Sequence, residues 1–260
     1  MSLSHAALRQ EIVRIGRLMH QHEFVDGASG NISARLPDGQ ILATPSGLAK
    51  GFLEPEQLIV LDSNGKVIEA GPGLRPTSEL LMHLEAYRRR PDVQGVIHAH
   101  PITSVALSIA GVSLAECVIP EAVVILGVIP TTPYATPSSE ENQRAISELI
   151  VGHDAIVLQY HGTLTVGKDV WDAYLKLETL EHTARIIATS HVLGKVPSLP
   201  PEQVARLWQT RKEWGFSRPG DEEQFCLACG ACHLPERHIA SEEDRLAHEI
   251  AALVRQALSE

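Results

Sequence analysis

The sequence predicts an α/β fold in which a central, mostly antiparallel sheet is flanked by helices. Three observations carry that reading. Hairpin signals dominate the early part of the chain, strand-length apolar runs then alternate with helical periodicity, and 260 residues at 44% hydrophobic content can bury one sizeable core.

The elements follow in order. Residues 4–22 place Leu8, Ile12, Ile15 and Met19 on one helical face behind Ser4 as N-cap. Gly27-Ala28-Ser29-Gly30-Asn31 is a glycine-rich turn. Strands are expected at 32–35 and 40–44, joined through Asp38-Gly39, and at 58–62 and 66–69, joined through Ser63-Asn64-Gly65. A helix over 78–90 stops at Pro91. A buried strand at 94–98, a helix at 102–110, a strand at 123–129 and a helix at 138–151 come next, the last with Ser138 or Ser139 as cap. Strands at 155–159 and 163–166 enclose Tyr160-His161-Gly162. A long helix over 169–192 ends before the prolines at 197–201, and a short helix runs on to about Trp214.

Composition excludes several classes of partner. A formal charge of -10 with no long basic run argues against nucleic acid and anionic membranes, and 4% aromatics leaves little for base stacking. No run of about 18 apolar residues suggests a membrane span, and residues 1–5 lack a signal-peptide pattern, so a cytoplasmic location is expected. Neither GxGxxG nor GxxxxGK[ST] occurs. Of four cysteines, three fall between Cys226 and Cys232, a spacing that suggests a ligand cluster more than a disulfide framework.

The chemistry concentrates in His98-Ala99-His100. Side chains two apart on a strand share a face, so both imidazoles can reach one ion. His161 ends a second apolar run, and Glu79 stands at the start of a helix. Three imidazoles and one movable carboxylate form the ligand set of an open catalytic zinc site. Glu79 also fits as a helix-capping acid, and both roles are compatible. Gly30-Asn31 and Pro45-Ser46-Gly47 fit ordinary turns or an amide cradle for phosphate. Thr77 and Ser78 add hydroxyls at a helix start, where anions bind. His20, His22, His83, His182 and His191 read as helix-surface or partly buried residues.

Together, Gly30-Asn31-Ile32-Ser33, Thr44-Pro45-Ser46-Gly47, Pro76-Thr77-Ser78-Glu79, His98-Ala99-His100-Pro101, Pro133-Tyr134-Ala135-Thr136 and Tyr160-His161-Gly162 resemble the class II aldolase/adducin family over residues 5–216. The resemblance implies a three-layer α/β/α domain and a homotetramer with active sites at subunit interfaces. It implies that His98, His100, His161 and Glu79 hold Zn²⁺, with Mn²⁺ or Co²⁺ as other divalent options. It implies that Asn31, Ser46, Gly47, Thr77 and Ser78 bind phosphate, and that Glu79 is the catalytic acid/base.

The implied reaction is reversible aldol cleavage of a ketose 1-phosphate, of the fuculose-1-phosphate kind, to dihydroxyacetone phosphate and an aldehyde. Glutamate rather than aspartate at position 79 favours the aldolase branch over the 4-epimerases. Decarboxylation or sugar-phosphate 4-epimerisation on the same zinc site is the alternative, and a non-enzymatic adducin-like binding role is another. The residues that line the aldehyde end in the fuculose-phosphate aldolases are replaced here, by about Ile119 and Pro137, with Trp214 aligned to a C-terminal tyrosine. Glu121 fits a replacement acid or a surface salt bridge.

Residues 217–260 read as a C-terminal extension. Cys226, Cys229, Cys232 and His233 have spacing that suits a second metal, and 241–258 reads as an amphipathic helix.

Overall fold

The computed structural model describes residues 4–230. Helix α1 (His5–Gln21) starts where the Ser4 hydroxyl accepts the Ala7 amide, and it buries Leu8, Ile12, Ile15 and Met19. Strands β1 (Asn31–Arg35), β2 (Ile41–Ala43), β3 (Ile59–Leu61) and β4 (Val67–Glu69) follow as hairpins. Then come α2 (Leu80–Arg89), β5 (Gly95–Ala99), α3 (Ile102–Ile109), α4 (Pro120–Ile125), α5 (Glu140–Ser147) and α6 (Leu149–Gly152). The pair β6 (Ala155–Leu158) and β7 (Gly162–Gly167) precedes α7 (Val170–Leu193), α8 (Pro201–Glu213) and α9 (Asp221–Cys229).

The seven strands form one sheet in the order β4-β3-β2-β1-β5-β7-β6. Every paired neighbour is antiparallel. Alternation along β5 sends side chains to two cores. Ile97 and Ala99 pack with residues of α1 and α7, while Val96 packs with Met82 and Ala86 of α2 and with Ile146 and Ile150. Helices therefore cover both faces, which makes the expected three layers. The register places Asn31 opposite His98 and Leu164 opposite the same histidine on the other side, so β1, β5 and β7 bring the functional ends of three strands together.

Two elements differ from expectation. The β-branched run at 123–129 forms no strand. Pro120 opens α4 there, and Val123 joins a small core with Val204 and Phe225, so tertiary packing overrides strand propensity. The helix expected over 138–151 divides into α5 and α6 at Glu148.

The cysteine expectation also changes. Packing of α9 onto the loop before α4 brings Cys229 to Cys117, and the two form a disulfide across 112 residues of sequence. A disulfide-bonded Cys229 is not a thiolate ligand, so it is not available to the metal set expected with Cys226, Cys232 and His233. Cys226 lies on α9. Cys232, His233 and the helix expected over 241–258 lie outside the described residues. Among the described residues, no helix is long and apolar enough to cross a membrane.

Candidate metal centre

Four side chains converge at the ends of these elements. One ligand atom each from Glu79, His98, His100 and His161 lies within 4.8 Å of the others. His98 and His100 leave the end of β5, and His161 precedes β7. Tyr160, at φ 59°, takes the left-handed turn that aims His161 inward. Gly162 is required beside it, because a Cβ there would run into the Ala99 carbonyl and the rings of His98 and His100.

Glu79 sits at the N-cap position of α2 but makes no capping bond with its side chain. The Thr77 hydroxyl accepts the Glu79 amide at 3.3 Å instead. The carboxylate is thus released from the capping role that sequence reasoning allowed it. Its Oε2 lies 2.9 Å from His98 Nε2 and its Oε1 lies 3.3 Å from His161 Nε2. Asn31 donates to Oε2 at 3.1 Å.

The electrostatics favour a cation. His98 Nδ1 meets the Thr163 carbonyl at 2.9 Å, so donation there leaves Nε2 facing the cluster. Burial, reinforced by the neighbouring rings, pushes His100 and His161 down to about 4, so both present neutral imidazole lone pairs at pH 7. Burial alone would raise Glu79, but the charge and hydrogen bond of His98 outweigh it and hold the carboxyl down at about 2. A buried carboxylate thus faces imidazoles that are only 2.9 Å apart at His98 Nε2 and His100 Nε2. Glu79 Oε1 and His161 Nδ1 are buried with no hydrogen-bond partner. An orphaned carboxylate oxygen among converging imidazoles is a donor set with an open place for a divalent ion, so the residues present fit one.

The expected phosphate residues come from two adjoining loops. Pro45 and Pro76 form an antiparallel bridge, and the Ser46 amide donates to the Arg75 carbonyl at 2.9 Å. That bridge sets Ser46 and Gly47 beside Thr77 and Ser78. Asn31 is buried at the start of β1, while Gly47, at φ 78°, and Ser78 are exposed.

The aldehyde-end candidates are not among the four converging side chains. Ile119 is the N-cap of α4, Pro137 is exposed and Trp214 is 67% exposed at the end of α8. Glu121 is exposed and makes no salt bridge among the described residues; it borders a cleft with His22, Glu178 and His182, not with the four candidate ligands.

Sequence reasoning missed His83, which is fully buried. Its Nε2 meets Asn31 Oδ1, its Nδ1 lies 2.7 Å from Ser33 Oγ, and that hydroxyl lies 2.8 Å from Tyr87 OH. His83 therefore holds the amide that holds Glu79. The signal was present: Glu79 and His83 are four apart at the start of one helix, and such residues share a face.

The chain is similar to known proteins over most of its length. The class II aldolase and adducin N-terminal domain model matches residues 10–188. The L-fuculose phosphate aldolase of Methanococcus maripaludis is 37% identical over 68% of this chain and 93% of its own length. The 3-oxo-tetronate 4-phosphate decarboxylase of Escherichia coli is 33% identical over 74% of this chain and 89% of its own. Among solved structures, YgbL of Escherichia coli, described as an aldolase/epimerase/decarboxylase, superposes with a TM-score of 0.72 at 31% identity, covering 78% of this chain and 98% of that one. With its antiparallel seven-stranded sheet, its His/Glu cluster and these relatives, the chain belongs to the class II aldolase and adducin family.

Proposed function

We propose that this chain is a Zn²⁺-dependent lyase that reversibly cleaves a ketose 1-phosphate, of the fuculose-1-phosphate type, to dihydroxyacetone phosphate and an aldehyde. The observation that carries it is the convergence of Glu79 with His98, His100 and His161 around an unpartnered carboxylate oxygen. A divalent ion held by these residues would supply Lewis acidity to a ketose carbonyl and offset negative charge developing beside it.

The chain's own residues do the rest. Asn31 holds Glu79 Oε2, which leaves Oε1 to carry a proton. In cleavage the hydroxyl that becomes the aldehyde carbonyl loses its proton to solvent, and Glu79, protonated from solvent, gives one to the carbon released from the broken bond; synthesis runs both transfers in reverse, with Glu79 taking a proton from the carbon beside the carbonyl and the new hydroxyl gaining one from solvent. The Ser46 hydroxyl, with the Gly47 amide and the Thr77–Ser78 segment, would take the phosphate across the bridged loops. Tyr160, the sequence neighbour of His161, and Tyr134, whose ring lies 6.4 Å from that of Tyr160, expose 54% and 60% of their surface, which suits a site completed by a neighbouring subunit of a homotetramer. Light scattering should then give about four chains per particle.

A second reading is decarboxylation of a phosphorylated 3-keto acid, favoured by the 33% identity to the decarboxylase. One assay separates the two. Zinc-loaded protein is incubated with dihydroxyacetone phosphate and a panel of aldehydes. Formation of a ketose 1-phosphate supports the aldolase. No adduct with any aldehyde, together with carbon dioxide release from a 3-oxo-tetronate 4-phosphate, replaces it with the decarboxylase.

A further inference from the structure

Lys50 is 2% exposed, although a buried ammonium is costly without a counter-charge. Its Nζ donates to the Ala28 carbonyl at 2.8 Å and to the Leu48 carbonyl at 2.6 Å. Ala28 belongs to the glycine turn that ends in Asn31, and Leu48 follows Ser46-Gly47. One ammonium therefore ties together two of the three chain segments that carry the expected phosphate residues, and the Pro45–Pro76 bridge joins the third, Thr77-Ser78, to them. Helix α1 packs against its backbone so closely that a Cβ on Gly16 would meet the Lys50 carbonyl.

No carboxylate pairs with this ammonium among the described residues, and burial alone pushes it down to about 8. The charged and titratable groups on the elements around it are engaged with others. Asp26 accepts the Ser29 hydroxyl, Arg17 faces Glu54 at 4.0 Å, and the His20 ring packs on Phe52. A positive charge has thus been buried behind two glycine-bearing loops with its counter-charge missing.

We propose that Lys50 is a positioning residue for the phosphate group, holding both loops in place and supplying the buried positive charge that a phosphate dianion answers. This rests on the phosphate-loop reading above. Ammonium donors held by carbonyls and countered by an anion lie in the range of charge-assisted interactions, so the effect should be measurable in binding.

The test titrates the zinc-loaded full chain with sulfate, a dianion that does not itself take up protons near pH 8. Heats are measured at pH 8 in two buffers of different ionisation enthalpy. An ammonium that is about half protonated beforehand takes up a proton fraction approaching about one half as the anion binds. Lys50→Met should lose that uptake and weaken sulfate binding about tenfold or more, with zinc content unchanged. A loop that merely needed packing would weaken binding without the proton signal. Sulfate binding by the unaltered chain with no proton uptake overturns the role of Lys50 and leaves the loops standing. If neither sulfate nor inorganic phosphate binds the unaltered chain, the phosphate-loop reading falls and takes Lys50 with it. The measurement on the unaltered chain needs no variant, so poor folding of Lys50→Met does not shield the proposal.

Discussion

Glu79 and Asp154 are both buried carboxylates, yet their surroundings differ in kind. Asp154 is 1% exposed and fully answered. Arg90 and Arg218 donate to its Oδ1 at 2.9 and 3.0 Å, and Lys176 and Arg218 donate to Oδ2 at 2.9 and 2.8 Å. Asp92 and Asp172 pair with the same cations, so three positive groups meet three carboxylates. Glu79, 8% exposed, meets only the rings of His98 and His161 and one Asn31 amide, with no arginine or lysine beside it, and retains an oxygen with no hydrogen-bond partner. The closed cluster holds helices and strands together. The open one has room for something the chain does not supply, and that difference marks it as the candidate functional site.

The strongest way to break the comparison is His98→Ala. If the open cluster is a metal centre, bound zinc and turnover should both fall to background while the protein stays folded by circular dichroism. Stoichiometric zinc with normal turnover would remove the centre from these residues. Next is Glu79→Gln, which keeps the shape and removes the proton carrier. Zinc should remain, and kcat should fall by about 10²–10⁴-fold, the range for a lost general acid/base. Full turnover would take Glu79 out of the chemistry.

How much of this was legible depended on whether the signal was local. His98, Ala99 and His100 could be read as one face because strand alternation is a local rule. The hairpins at Asp38-Gly39 and Asn64-Gly65 were legible for the same reason. What failed required distant partners. The run at 123–129 reads as strand until α8 and α9 pack on it. Cys229 reads as a metal ligand until α9 carries it to Cys117. His83 reads only as a helix-surface or partly buried residue, and no local pattern singles out Lys50, because both are buried by distant parts of the chain.

Asp154→Asn tests the closed side. Removing its charge leaves Arg90, Lys176 and Arg218 without their shared partner, which should cost about 3–5 kcal/mol of stability. Zinc content and kcat below the melting range should hardly change. The pH dependence has a definite sign. Its buried cation partners hold the Asp154 carboxyl below the ordinary value, although burial itself acts the other way and is the largest single influence. The unfolded chain therefore binds the proton first. The stabilisation is full above the unfolded pKa of about 3.9 and is lost as pH falls through the lower folded value. The acid limb of an unfolding curve should flatten in Asp154→Asn. An unchanged limb would mean that the cluster contributes little to acid stability.

The smallest effect, and the finest test, concerns His83. It hydrogen-bonds none of the four candidate metal ligands; it grips Asn31, which in turn holds Glu79 Oε2. His83→Leu should keep zinc and lower kcat by about tenfold, the low end for a partner that orients a site residue. Loss of packing could lower kcat too, so the discriminating measurement is a double-mutant cycle. If His83 acts only through the Asn31 amide, the pair His83→Leu with Asn31→Ala should lose no more kcat than Asn31→Ala alone. Additive losses would mean that His83 supports the centre by another route, through Ser33 and Tyr87 on the same hydrogen-bonded chain. The open cluster would then owe its geometry to the core beneath it and not to one amide.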